Sequence, residues 1–325
     1  MIMTLSKRGF LGLAASAALA LSLGATAAKA ETRVTLKSAK STSSYYQMMV
    51  QLSEALKAGS DGALIATVEE SQGSVQNVKE AAKRTGAYVF TTPPVLVQRI
   101  AAGEKPFKEN DKFDGIRGLF PIPYLTMHWV VREDSGITDF AGLAGQDFIP
   151  GGKGSFGQRK TKSVFEKLGI ADQVNMIDVE LNAAVPAVKN RQVVGFATAG
   201  AYPAPNVMEL AATTKIRLLS LSAEDIAKIG KVTTLEIPAG TYKGVDRVTT
   251  TMTLPVNTYT TTAMDEATAY AITKAFWQQQ AKLAAGNSWW GGVSAEGLAK
   301  MGAKLHPGAL RYYAEAGIAV PDAVK

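Results

Sequence analysis

From residue 34 onward, short runs of alternating apolar and polar residues are separated by longer stretches in which apolar residues return every three or four positions. Segment 34–38 reads as a strand. Met48, Met49, Leu52, Ala55 and Leu56 then mark one face of a helix that the turn Ser41-Thr42-Ser43-Ser44 opens and Gly59 stops. A strand at 63–68 follows, then a short helix carrying Val75, Val78 and Ala82 behind Ser74, a strand at 87–91, and a helix entered through Pro93-Pro94. Two β-like runs, 116–121 and 126–131, are joined through Pro121-Ile122-Pro123-Tyr124. A second alternation begins there: helix 155–168, strand 174–178, helix 181–189, strand 194–198, helix 203–212 and strand 215–219. The Thr-rich stretch 247–254 leads into a helical tail over 264–283 and 295–316. Strands alternating with helices predict an α/β fold with a largely parallel sheet. The breaks at 116–131 and 247–254 predict two lobes joined by two crossings, 31–123 plus 254–325 in the first and 124–253 in the second. No strict repeat of roughly 20–50 residues is visible, which argues against a solenoid or propeller.

Residues 1–30 stand apart. They contain no acid, carry Lys7-Arg8 ahead of an apolar run over 9–23, and end Ala28-Lys29-Ala30, with small residues where a signal peptidase reads. This predicts an export signal cleaved after Ala30 and a periplasmic mature protein. The apolar run is shorter than the ~20 residues a permanent anchor needs, and no later stretch is long and uncharged enough to span, so the mature chain is not expected to cross a membrane. Ser6-Lys7-Arg8-Gly9-Phe10-Leu11 resembles a twin-arginine signal with Lys for the first Arg, which leaves the Sec and twin-arginine routes both open.

Composition narrows the chemistry. The 325 residues include no Cys and only two His, which excludes disulfides, thiolate metal sites and a cysteine nucleophile. No metal or cofactor is expected. The formal charge of +7 falls once Lys7, Arg8 and Lys29 are removed with the signal, and no Lys/Arg run of the kind that tracks a phosphate backbone appears, so no nucleic-acid partner is expected.

Two Ser/Gly-rich turns occupy corresponding places, one per lobe, between a predicted strand and a predicted helix. They are Ser41-Thr42-Ser43-Ser44-Tyr45 and Gly151-Gly152-Lys153-Gly154-Ser155-Phe156-Gly157. A helix N-terminus offers unpaired N–H groups and about half a positive charge, so two facing one cleft would grip a small anion. Each turn alone is also an ordinary N-cap. The second ends Gly157-Gln158-Arg159, not the Gly-Lys-Ser/Thr of a nucleotide-binding loop. Ser74 and Asn77 form a third polar turn, and Tyr124, Tyr202 and Arg159 are candidates for the cleft rim. Arg99, Arg132 and Arg159 could each meet a second carboxylate. His128, His306 and the pair Trp289-Trp290 read as packing residues, and Glu69-Glu70 as a solvated strand end. A secreted hydrolase using Ser155 or Ser44 is the alternative from another class, without a Gly-x-Ser-x-Gly elbow and with only two histidines to serve as base.

In this order over nearly the whole mature chain, several segments resemble the TAXI type of TRAP-transporter solute-binding proteins. They are the 41–46 turn, Gly73-Ser74-Val75-Gln76-Asn77, the stretch 116–137, the 151–157 turn with its helix, Ala201-Tyr202-Pro203-Ala204-Pro205, Pro238-Ala239-Gly240-Thr241-Tyr242-Lys243-Gly244, and Leu305-His306-Pro307-Gly308-Ala309-Leu310-Arg311-Tyr312-Tyr313. The resemblance implies a type II periplasmic-binding-protein fold that closes on a small carboxylate, often glutamate or a 2-oxoacid. It also implies delivery to TRAP transporter membrane subunits, without enzymatic activity. Carried over position by position, the ligand-facing residues would be Ser43, Ser44, Tyr45, Ser74, Asn77, Thr92, Ser155, Phe156, Gly157, Gln158 and Tyr202. Phe156 stands where the family usually has a small residue, so it would fill volume or stack on the solute. A ligand sensor for a signalling partner is the alternative within the same binding class.

Overall fold

The computed structural model describes residues 31–325, and the expected export signal lies outside the described residues. The chain begins β1 (Thr32–Lys37), α1 (Ser44–Gly59), β2 (Leu64–Glu69), α2 (Ser74–Ala81), β3 (Tyr88–Thr92) and α3 (Pro94–Ala102). β1 pairs in parallel with both β2 and β3, as crossover connections through helices allow. α1 buries Met48, Met49, Leu52, Ala55 and Leu56, the stripe that its sequence spacing predicts. Pro93 caps α3 and Pro94 is its first residue, where a missing N–H costs nothing.

β4 (Ile116–Arg132) is a single strand of 17 residues where the sequence predicts two. Pro121 and Pro123 do not end it because its partner supplies a matching irregularity. Its antiparallel partner appears much later in the chain, and its register slips between Leu254 and Val256, around Pro255. Prolines on both strands and a bulge between them leave a gap in the hydrogen-bond ladder at this point.

After β4 come β5 (Asp147–Ile149), α4 (Phe156–Leu168), β6 (Asn175–Met176), α5 (Ala184–Lys189), β7 (Gly195–Gly200), α6 (Pro205–Thr213), β8 (Ile216–Leu218), α7 (Ala223–Ile229) and β9 (Thr233–Ile237). The long strand β10 (Thr249–Thr261) returns beside β4 and is followed by α8 (Glu266–Gly286) and α9 (Pro307–Glu315). The expected tail helix over 295–316 is shorter: a 3-10 turn at Ala295–Lys300 precedes α9, and His306-Pro307 starts α9 afresh.

The strands form one ten-stranded sheet in the order β2-β1-β3-β10-β4-β7-β5-β6, with β8 added to β4 and β9 to β10. β1, β2 and β3 make one parallel wing; β5, β6 and β7 make another. The antiparallel pair β4/β10 runs through both, and residues 31–325 form one compact unit. The first half of β10 pairs β9 and the second half pairs β3, so each crossing strand belongs to a different wing on either side of the proline bulge. α8 packs so tightly on α1 that a Cβ at Gly59 would lie 2.4 Å from the Ala275 carbonyl oxygen, which returns the C-terminal helices to the first wing.

Polar networks brace this frame. Lys37, only 3% exposed at the end of β1, pairs with Glu69 and lies 3.2 Å from Glu80, and Arg84 bonds both carboxylates. In the second wing the buried His128 Nδ1–H donates to the Thr126 carbonyl, while Nε2 accepts from Tyr242 Oη at 2.8 Å; Tyr242 in turn accepts the Ala204 N–H. Burial lowers the His128 pKa to about 4, so the ring stays neutral. Among the described residues no helix is long and apolar enough to cross a membrane.

Candidate functional site

In α/β sheets ligands collect outside the carboxyl ends of parallel strands, where helix N-termini gather. Here those ends come from both wings. Ser38, Ala39 and Lys40 follow β1, Gln72-Gly73-Ser74 connect β2 to α2, and Thr91 is the last residue but one of β3. Opposite them, Gly151 and Gly152 follow β5, Ser155, Phe156 and Gly157 open α4, and Thr198 and Ala199 lie on β7. Together with Ser43, Tyr45, Leu125 and Leu181 they enclose a cavity of about 50 Å³.

The starts of three helices reach this cavity. Ser43 caps α1 through the Tyr46 N–H, and Ser155 caps α4 through the Gln158 N–H at 3.1 Å. α2 begins at Ser74 behind Gly73, which offers no side-chain cap. Its first N–H groups therefore remain for another acceptor. The wings approach closely between α2 and α4: a Cβ at Gly73 would stand 3.9 Å from Ser155 Cβ. Gly151 has φ +131, and a Cβ there would sit 2.6 Å from the Gln158 amide nitrogen, so only glycine lets the second turn fold onto α4.

A second observation marks the cavity as a binding place. Buried side-chain oxygens without a hydrogen-bond partner among the described residues are those of Ser38, Thr42, Thr258 and one Glu180 oxygen. Of these, Ser38 lines the cavity at 1% exposure; Thr42 stands in the turn before α1 and Glu180 just before Leu181, and neither lines it. An unpaired buried hydroxyl costs about 1–3 kcal/mol, and that of Ser38 lies in the cavity wall, whereas Glu180 Oε2 has the Lys40 ammonium at 3.2 Å as an ionic partner. That cost is removed if a ligand supplies the missing partner.

The charged groups at the rim form a bridge. Lys40 Nζ lies 3.2 Å from Glu180 Oε2, and Gln72 Nε2 donates to Glu180 Oε1 at 3.1 Å. Glu70 accepts the Ser41 N–H at 2.7 Å, and hydrogen bonding by Ser41, its side chain foremost, lowers the Glu70 pKa against the opposing effect of burial. Arg159 is depressed first by burial and then by Arg99, and neither guanidinium forms an ion pair among the described residues. Neither lines the cavity, nor does Arg132, which pairs with Asp134. Among the described residues no three His, Asp or Glu side chains gather where they could hold a metal ion.

Of the residues expected at the ligand, Ser43, Tyr45, Ser74, Ser155, Phe156 and Gly157 line the cavity. The others stand elsewhere. Ser44 Oγ accepts the Ala201 N–H at 2.9 Å, joining α1 to the end of β7. Asn77 Nδ2 donates to the Ser38 carbonyl at 2.7 Å and to that of Thr91, so it shapes the wall from behind. Gln158 braces its own turn, accepting from Gly154 N–H and donating to Asp178. Thr92 is buried on the other face of β3; the neighbour that lines the cavity is Thr91, a one-residue offset that reverses the side chain. Tyr202 lines a separate, open groove with Tyr124 and Trp289. Sequence reasoning missed Ser38, Lys40, Gln72 and Thr198, whose common signal is a position at the carboxyl end of a parallel strand or just after it.

Tyr45 ties the cavity to the crossings. Its hydroxyl donates to the Pro123 carbonyl at 2.9 Å, beside the bulge, and burial raises its pKa well above the usual value. The histidines are engaged elsewhere, His128 with Tyr242 and His306 with the Met264 carbonyl, so neither stands beside Ser155 or Ser44 as a base.

Two solved structures share this architecture. One described as the periplasmic binding protein BugD is 13% identical over 89% of this chain and 99% of that one, with a TM-score of 0.52. Another, described as a periplasmic transporter, is 10% identical over 76% and 83%, with a TM-score of 0.51. At such identities the likeness is one of fold, and it is the periplasmic-binding-protein fold. The sequence profile of the NMT1-like family matches residues 36–317, from the end of β1 to two residues beyond α9, and so spans both wings and every wall of the cavity. The chain belongs to the NMT1-like family.

Proposed function

We propose that the protein is an exported solute-binding protein of the TAXI type that captures a small carboxylate and presents it to TRAP-type membrane subunits. The observation that carries the binding part is the meeting of three helix starts and the unpaired Ser38 hydroxyl on one small cavity between the wings. A carboxylate placed there would accept from the free N–H groups of α2 and from Ser38, and would gain from the positive ends of α1 and α4. In this reading 31–123 plus 254–325 and 124–253 act as two lobes. They rock about the proline bulge shared by β4 and β10. The solute favours the closed arrangement by its greater affinity for that state, and no bond is made or broken. The resemblance of the sequence to TAXI proteins and the character of residues 1–30 support export and the TRAP partner.

The test is a thermal-shift screen of the chain from Glu31, unfolded and refolded to remove resident solute, against 2-oxoacids, hydroxy acids, amino acids, dicarboxylates, sulfonates and phosphate. A ligand at ~100 times its Kd adds about 2.7 kcal/mol, a shift of several degrees. A hit among carboxylates that Ser38→Ala weakens supports the reading. A folded protein with no shift across the panel overturns it.

A further inference from the structure

The charge balance around the cavity narrows the solute beyond a carboxylate in general. Lys40 is the one charged side chain among the lining residues, and it is committed: its ammonium pairs with Glu180 of the opposite wing. Gln72 holds the other Glu180 oxygen, and Glu70 lies close enough to Lys40 for the lysine's charge to act on it. Among the described residues no arginine and no acid lines the cavity.

On this basis we propose that the cavity selects small monoanions, and that Glu180, by holding Lys40 across the cleft, is the residue that turns dianions away. The inference rests on the binding role proposed for the same cavity. One carboxylate is matched by the helix starts and Ser38, which supply partial charges and N–H groups without a full cation. A second carboxylate would need a cation of its own. Among the described residues lining the cavity the only candidate is Lys40, and taking it would leave Glu180 without its cation beside a negative ligand. An α-ammonium fares no better, because it would lose its water with no carboxylate to replace it. Size points the same way: about 50 Å³ compares with ~10–15 Å³ for one water on the same measure. The cavity therefore suits a molecule of the size of lactate and is too small for a long dicarboxylate. Tyr45, Leu125, Phe156 and Leu181 give its non-carboxylate end an apolar lining.

The probes are lactate, alanine and malonate, nearly equal in size and differing in charge, titrated calorimetrically into the refolded chain. Lactate is expected to bind at least tenfold more tightly than either of the others. In Glu180→Gln the malonate-to-lactate affinity ratio is expected to rise at least tenfold, because Lys40 is freed from its direct partner. The double variant Lys40→Gln/Glu180→Gln is expected to return that ratio to its starting value. Equal binding of malonate or alanine by the unaltered chain overturns the charge argument without touching the site. So does a Glu180→Gln ratio that does not move, or a hit on the wider panel that comes only from larger or doubly charged compounds. Failure of the whole panel overturns the underlying binding role instead, so the two failures are distinguishable.

Discussion

Acidification tests the second wing's buried network. His128 is 1% exposed, and burial lowers its pKa from 6.5 to about 4, the bond to the Thr126 carbonyl only partly opposing this. The unfolded chain therefore binds a proton that the folded chain refuses between those two values. The contribution to stability is complete above pH 6.5 and is lost as pH falls toward 4. With those values the loss at pH 5, relative to neutrality, is about 2 kcal/mol from this residue. His306, also depressed chiefly by burial, adds a loss of the same sign, and carboxylates held low by partners, such as Glu69, act only at lower pH. Comparison with a variant isolates the effect. In His128→Gln the amide oxygen can still accept from Tyr242 but cannot take up a proton. Urea unfolding at pH 7.5 and pH 5 should show the unaltered chain losing about 2 kcal/mol more than the variant over that interval. Equal losses in the two proteins would refute the claim that the ring is buried neutral.

Three further substitutions probe other parts of the frame. Ser38→Ala removes an unpaired buried hydroxyl, so the unliganded chain should gain up to about 1 kcal/mol in urea unfolding while carboxylate affinity falls roughly tenfold; a loss of stability would mean that the hydroxyl has a partner. Gly200→Ala would bring a Cβ to 2.4 Å from Ser44 Oγ, but only to 3.6 Å from Ser44 Cβ. It should cost about 2 kcal/mol alone and much less in a Ser44→Ala background, and strictly additive costs in a double-mutant cycle would contradict the geometry. Lys37→Met leaves Arg84 as the only cation on Glu69 and Glu80 among the described residues, with Gln76 still donating to Glu80, and should destabilise by about 1–3 kcal/mol; a neutral result would show that apolar packing at the end of β1 replaces the ion pairs.

The sequence pattern was most informative where burial is one-sided. The helix stripe Met48 to Leu56 and the strands of the first wing are placed within a residue or two of where they fold. It was weakest where long-range pairing overrides a local breaker. Pro121 and Pro123 read as the end of a strand, yet β10 carries its own irregularity opposite them and the strand continues. β5, β6 and β9 are only two to five residues long and owe their form to neighbours that no local window contains. The same limit applies to the cavity. Helix-opening serines were visible as caps, whereas Thr91 against Thr92 depends on strand register, and Ser38 depends on a strand ending one residue before it. The Lys40–Glu180 bridge joins residues 140 positions apart, and nothing in either segment announces the other.

The pairing of Thr126 with Thr253 has an architectural consequence. The chain leaves the first wing and re-enters it through two points that are neighbours on adjacent strands, so everything between them is a detour with touching ends. Such a segment is a natural cassette. Replacing it with the matching segment of another family member would exchange one half of the cavity wall, including the start of α4 and Glu180, while β1, α1, α2 and the C-terminal helices keep their own core. Chimeras joined at these two threonines would separate what each half contributes to choosing the solute.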